Sequence, residues 1–189
     1  MTKSLYLAFN KPYGVISQFT SDDQSKTTLK SFGFPNDVYP VGRLDEDSEG
    51  LLLLSNDKSF VSKILEPFKG HERSYFVQVE RIPTEETLHE LEAGVQIGVY
   101  KTMPCKAQLL PNFCEPFERK VPIRFRKNVP TSWIELILKE GKNRQVRKMT
   151  AKVGHPCLRL IRGRIGRLKL ADLNIQPGEW KEVRMDQIL

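Results

Sequence analysis

Between residues 74 and 80, SYFVQVE, apolar and polar side chains alternate, so that Tyr75, Val77 and Val79 fall on one face and Phe76, Gln78 and Glu80 on the other. A period of two is that of a β-strand. Residues 132–139, SWIELILK, read as a second strand, rich in β-formers and broken by Gly141. The pattern predicts further strands at 5–9, LYLAF, which ends at the turn Asn10-Lys11-Pro12-Tyr13-Gly14, and at 95–97, 104–110, 158–162, 167–170 and 180–184.

Helical spacing appears in three other places. Phe60, Val61, Ile64 and Leu65 make one stripe behind Asp57, a suitable N-cap, with Pro67 beyond the end, which predicts a helix over 57–65. Thr84 caps a helix through Ala93, with acids in its first turn and Gly94 after it. Val146, Met149 and Val153, at i, i+3 and i+7, bury one face of a helix over 143–153 that Gly154 ends, leaving Arg144, Arg147, Lys148 and Lys152 largely elsewhere. A short helix is expected at 27–32, and residues 111–128, with Pro111, Pro116 and Pro122, form a long surface connection.

Strands and about four helices interleave without the regular rhythm of a parallel sheet, which predicts an α+β fold with a mixed, mainly antiparallel central sheet flanked by helices. No segment separates as independent, so residues 1–189 are expected to form a single domain, either one compact unit or two small lobes sharing one sheet.

One stretch breaks the ordinary pattern. Residues 41–57, VGRLDEDSEGLLLLSND, set Arg43 and the acids Asp45, Glu46, Asp47 and Glu49 directly before four leucines. The plain reading is a solvated loop punctuated by Gly42 and Gly50, followed by a short buried strand at 51–54. A buried strand can equally hold the loop ahead of it rigid enough for catalysis.

Charge placement narrows the partners. Residues 119–169 carry 16 Lys or Arg against Glu135 and Glu140, a local excess of +14 in a chain of net charge +7, so the remainder is −7. A basic region of this kind suits a polyanion, with nucleic acid the first candidate. The apolar N-terminal segment is too short for a signal peptide, and no run approaches the roughly 20 apolar residues of a membrane span, so a cytoplasmic protein without membrane contact is expected. Cys105, Cys114 and Cys157 lack CxxC spacing and His71, His89 and His155 are scattered singly, which predicts neither a disulfide framework nor a metal site.

The chain has no GxxxxGK[ST] loop and no GxGxxG after a strand, which favours chemistry without a nucleotide cofactor. Residues 162–167, RGRIGR, contain a GxxG, but the flanks read as strands and a tight turn lined with cations is the better description. A carboxylate beside arginines remains. An opposite charge favours the ionised form, and an ionised carboxylate is a nucleophile or a base rather than a proton donor. Carboxylate nucleophiles act at sugar C1′ and other electrophilic carbons, and an RNA-binding surface directs that chemistry to a nucleoside.

At this point the residues resemble a known family. GRLDEDSEGLLLLSND, SYFVQVE and EGKNRQVRKM, in that order, resemble the signature, the tyrosine strand and the C-terminal arginine motif of the pseudouridine synthases that modify bacterial ribosomal RNA. The resemblance extends from FNKPYGVISQF at 9–19 to GHPCLRLIR at 154–162. It implies the pseudouridine synthase fold and conversion of a specific uridine to pseudouridine in large-subunit (23S) ribosomal RNA by a catalytic aspartate, without a cofactor. Several relatives carry an S4-type RNA-binding domain ahead of this region, and no such separate domain is expected here.

The same resemblance assigns roles. The nucleophilic aspartate falls on Asp45, and the arginine that displaces or replaces the target nucleotide falls on Arg43. Tyr75 matches the tyrosine that packs on the uracil and takes part in proton transfer at the sugar. Arg147 matches the basic residue that pairs with the aspartate, with Val146 lining the pocket. Lys142, where relatives often have Arg, together with Arg144, Lys148 and Arg162, is expected to contact RNA, more through phosphates than bases. Ribosomal RNA is thus the expected partner of a monomer with no obligate protein partner. Two other classes remain open, a non-catalytic RNA-binding ribosome-assembly factor and a hydrolase that uses Asp45 with a second carboxylate.

Overall fold

A computed structural model describes residues 3–66, 71–123 and 126–189. The first part of the chain forms strands β1 (Tyr6–Lys11), β2 (Val15–Ile16), β3 (Thr27–Thr28), β4 (Tyr39–Pro40) and β5 (Glu49–Ser55), then helix α1 (Lys58–Leu65). Strand β6 (Arg73–Glu80), helix α2 (Glu85–Ala93), strands β7 (Gln96–Ile97), β8 (Tyr100–Lys101), β9 (Lys106–Leu109) and β10 (Thr131–Leu138), and helix α3 (Gln145–Lys152) follow. Strands β11 (Cys157–Ile165), β12 (Leu168–Lys169) and β13 (Trp180–Glu182) and helix α4 (Met185–Ile188) complete the order. The chain divides into two compact units, residues 1–71 with 162–189 and residues 72–161.

In the first unit the strand order is β13-β1-β5-β11, with β4 pairing on β5 and β12 on β11. Strand β1 runs antiparallel to β5, with Leu7 opposite Leu54 and Phe9 opposite Leu52. Leu52 and Leu54 join Leu7, Phe9, Val15, Leu29, Val38 and Leu44 in one apolar cluster. Leu51 and Leu53 point the other way and are buried as well. A strand covered on both faces needs a continuous apolar run rather than alternation, which accounts for the four leucines. Helix α1 starts where expected, because the Asp57 carboxylate accepts from the backbone N–H groups of Ser59 and Phe60 and is held by the Tyr6 hydroxyl at 2.8 Å. Pro67, expected beyond its end, lies outside the described residues.

In the second unit the order is β11-β6-β10-β9, and β6 pairs antiparallel with β10, Tyr75 opposite Leu136 and Val77 opposite Ile134. Tyr75, Val77 and Val79 pack in one cluster with Leu91 of α2, Val146 and Met149 of α3, and Leu136 and Leu138 of β10. The other face of β6 is covered too: Phe113, from the long connection, stacks on Phe76 and Trp133 with ring centroids 4.7 Å apart in both pairs.

Three local expectations change. Only Leu29–Phe32 of the 27–32 segment is helical, as a 3₁₀ turn, because Thr27 and Thr28 pair in parallel with Val15 and Ile16. The strand expected at 95–97 is β7, but its hairpin partner β8 was not anticipated, since a two-residue strand carries no readable period. The strand expected at 158–162 runs on as β11 to Ile165, so Gly163 of the GxxG lies inside a strand. Gly166 makes the turn into β12 with φ +56°, and a Cβ there would meet the Ile188 carbonyl oxygen at 2.1 Å.

Candidate active site

The carboxylate loop belongs to the first unit. It enters through Arg43, which is exposed, passes Leu44, which is buried, and presents Asp45 partly to solvent before β5 begins at Glu49. The Ser17 hydroxyl donates to the Leu44 carbonyl at 2.7 Å and accepts from the Leu44 N–H at 3.1 Å. The Ser48 N–H donates to the Asp45 carbonyl at 3.0 Å, and the Gly14 N–H to the Glu46 carbonyl at 2.9 Å. Four short contacts from outside and within thus fix a segment that could otherwise be a mobile turn.

Beneath this loop lies Lys11, the last residue of β1 and 0% exposed. Its ammonium donates to the carbonyls of Val15 at 2.6 Å, Pro12 at 3.0 Å and Glu46 at 3.5 Å. Burial lowers its pKa to about 8, opposed by the negative charges of Glu49, Asp47 and Glu46 and reinforced by Arg162. Glu49 is itself only 2% exposed. The sequence reading placed it in water; the structure makes it the first residue of a buried strand, where the buried ammonium offsets its desolvation.

Arg162, expected among the RNA contacts, is 5% exposed, and its Nε donates to the Leu51 carbonyl at 2.8 Å, so this group braces β5.

The tyrosine and arginine residues belong to the second unit. Tyr75 sits mid-strand on β6 and shares its apolar cluster with Val146, so these two expected residues are brought together. Arg147, one residue on, is half-buried, and its Nη1 donates to the Cys157 carbonyl at 3.5 Å and lies 3.4 Å from the Cys157 sulfur. The start of α3 is unusual. Arg144 at the N-cap adopts φ +51° and provides no side-chain cap. Gln145, buried at the first helical position, holds the chain ahead of the helix: its Oε1 accepts from the Lys142 N–H at 2.9 Å, and its Nε2 donates to the Glu140 carboxylate. The same carboxylate accepts from the Met103 N–H at 2.8 Å, tying the helix start to the chain just beyond the β7–β8 hairpin.

Lys142, Arg144 and Lys148 are exposed along this segment. Lys142 Nζ stands 3.9 Å over the Tyr100 ring, and Lys148 Nζ lies 3.5 Å from the Asn143 side-chain oxygen. The basic stretch is not uniformly available to a polyanion, however. Arg159 is 1% exposed, joined to the Glu115 carboxylate and donating to the Phe117 carbonyl at 3.1 Å.

Sequence reasoning missed Lys11, Ser17, Gln145 and Cys157. Only Lys11 carried a signal, a charged residue closing an apolar strand; the others act through single backbone or side-chain contacts that leave no mark on composition. Among the described residues no cluster of three or more His, Cys, Asp or Glu side chains is arranged to hold a metal ion. No described helix is long and apolar enough to cross a membrane.

Comparison with known proteins adds an independent line. Residues 5–152 match the family model described as RNA pseudouridylate synthase. The chain is 44% identical over 181 residues to ribosomal large subunit pseudouridine synthase E of Vibrio parahaemolyticus, covering 95% of this chain and 74% of that protein. It is 46% identical over 167 residues to the protein of the same name from Xanthomonas axonopodis pv. citri, covering 88% of each. A crystal structure of a pseudouridylate synthase superposes with a TM-score of 0.81 at 24% identity, covering all of this chain and 74% of that one.

Proposed function

Since the chain belongs to the RNA pseudouridylate synthase family, we propose that it converts a specific uridine of large-subunit (23S) ribosomal RNA to pseudouridine, in the cytoplasm and without a cofactor. The observation that carries this reading is the loop bearing Asp45, an acid kept at the surface while Leu44 before it and Ser48 after it are buried. A solvated turn has no need of that support. The names of the relatives give the substrate class, and the exposed Lys142, Arg144 and Lys148 supply cations for phosphates.

The target uridine leaves its stack at a cost of a few kcal/mol, offset by cationic and aromatic contacts. Asp45 is the reacting carboxylate. Three first steps are open to it: attack at C1′, attack at C6 of the ring, or removal of the C2′ proton. In each, the N1–C1′ bond breaks, the uracil rotates, C5 bonds to C1′, and the C5 proton departs while N1 gains one, so composition is conserved. Tyr75 packs against the uracil and assists proton transfer at the sugar, Val146 lines the base pocket, Arg147 supplies the positive charge that balances the carboxylate chemistry, and Arg43 takes the place of the displaced nucleotide. The protein acts as a monomer without an obligate protein partner.

Digestion of treated RNA to nucleosides tests the reading. Isomerisation yields a nucleoside of unchanged mass and altered retention. Free uracil would instead favour a hydrolase, and unaltered RNA recovered in a tight complex would favour an assembly factor.

A further inference from the structure

Asp45 can react reproducibly only if its Cα–Cβ bond points one way, and that direction is set by the two peptide planes that meet at its Cα. Each plane is rigid, so fixing one atom of each removes most of the freedom of φ and ψ between them. The plane after Asp45 is held from inside the loop, by the Ser48 N–H on the Asp45 carbonyl. The plane before it contains the Leu44 carbonyl, and the hydrogen bond the structure gives that oxygen comes from Ser17.

Ser17 is well made for this task. It is 4% exposed, so its hydroxyl does not exchange partners with solvent. It occupies both polar groups of Leu44, donating to the carbonyl at 2.7 Å and accepting from the N–H at 3.1 Å, as a neighbouring strand would. Its own position is set by a tight turn in which the Gln18 N–H donates to Ile16 at 2.8 Å, while the Leu29 N–H donates to Gln18 at 2.8 Å. One side chain therefore transmits the register of the β2–β3 pair to the peptide that carries Asp45.

We propose that Ser17 is a positioning residue for the reaction: its hydroxyl orients the peptide between Leu44 and Asp45 and thereby aims the Asp45 carboxylate. This rests on the reading of Asp45 as the reacting group. The effect falls on the transition state and not on RNA affinity, because Ser17 is buried and touches backbone alone among the hydrogen bonds described.

The test compares wild type, Ser17→Ala and Ser17→Thr, reading turnover on large-subunit RNA together with amide hydrogen exchange of Leu44 by NMR. For Ser17→Ala, kcat is expected to fall roughly 10- to 100-fold, as a misplacement near 1 Å produces, with KM within about 3-fold. The Leu44 amide should exchange at least about 10-fold faster, while the Leu29 amide, bonded elsewhere, stays unchanged. Ser17→Thr retains the hydroxyl and should restore most of the turnover. Wild-type kcat in a folded Ser17→Ala protein, or equal Leu44 exchange in both, would overturn the proposal. An inactive wild type would instead count against the Asp45 reading, and the Leu44 exchange would still decide whether Ser17 orders the loop.

Discussion

Lys11 Nζ lies 2.6 Å from the Val15 carbonyl oxygen in a position closed to solvent, at the base of the loop that carries Asp45. Burial has lowered the lysine pKa from 10.5 to about 8. Between those two values the unfolded chain binds more protons than the folded one, so the penalty of burying the ammonium, fully present below about 8, is relieved and stability rises with pH across that window. Lys11→Met removes the titration. In urea unfolding from pH 7 to 10.5, wild type should gain stability relative to Lys11→Met as pH rises above about 8; parallel curves would contradict the assignment.

Gln145 connects the Lys142 N–H to the Glu140 carboxylate and so sets the start of the helix bearing Arg147. Gln145→Ala removes a buried side chain and leaves the Lys142 N–H and the half-buried Glu140 carboxylate without this partner, at a cost of about 1 kcal/mol for each bond lost. Denaturation midpoints should show that loss, and turnover should drop more than it does for Lys148→Ala.

The exposed and buried cations should separate in salt titrations. Removal of Lys148 is expected to lower RNA affinity and to reduce the slope of log K against log salt by about 0.7–0.9 for a lost phosphate contact, with stability within about 0.5 kcal/mol of wild type.

Arg162→Ala is expected to behave in the opposite way. It removes a donor to the Leu51 carbonyl inside the fold, so stability should fall by about 1–3 kcal/mol while the salt slope stays put. A reduced slope at full stability would return Arg162 to the RNA contacts.

What the chain's pattern disclosed depended on whether a residue's partners were periodic. Tyr75 was legible because β6 alternates, and α1 and α2 because Asp57 and Thr84 cap them through their own side chains. The burial of β5 was legible as four leucines, but its start at Glu49 was not, since an acid enters a core only when a distant cation such as Lys11 makes it tolerable. Ser17 acts on the backbone N–H and C=O of Leu44, and Gln145 in part on the Lys142 N–H, groups that every residue but proline possesses and that no period marks, so nothing in local composition distinguishes them from ordinary polar side chains. Arg159 and Arg162 looked like surface cations because charge counts do not distinguish a buried guanidinium from a solvated one.

The most direct measurement is tritium release from large-subunit ribosomal RNA labelled at uridine C5, with wild type beside Asp45→Asn. Isomerisation through C5 expects about one equivalent released per RNA by wild type and none by the variant, while both retain the fold and comparable salt-dependent binding. Binding by both proteins with no tritium released by either, on free RNA and on assembly intermediates, would contradict catalysis and leave an RNA-binding protein on an enzyme's fold.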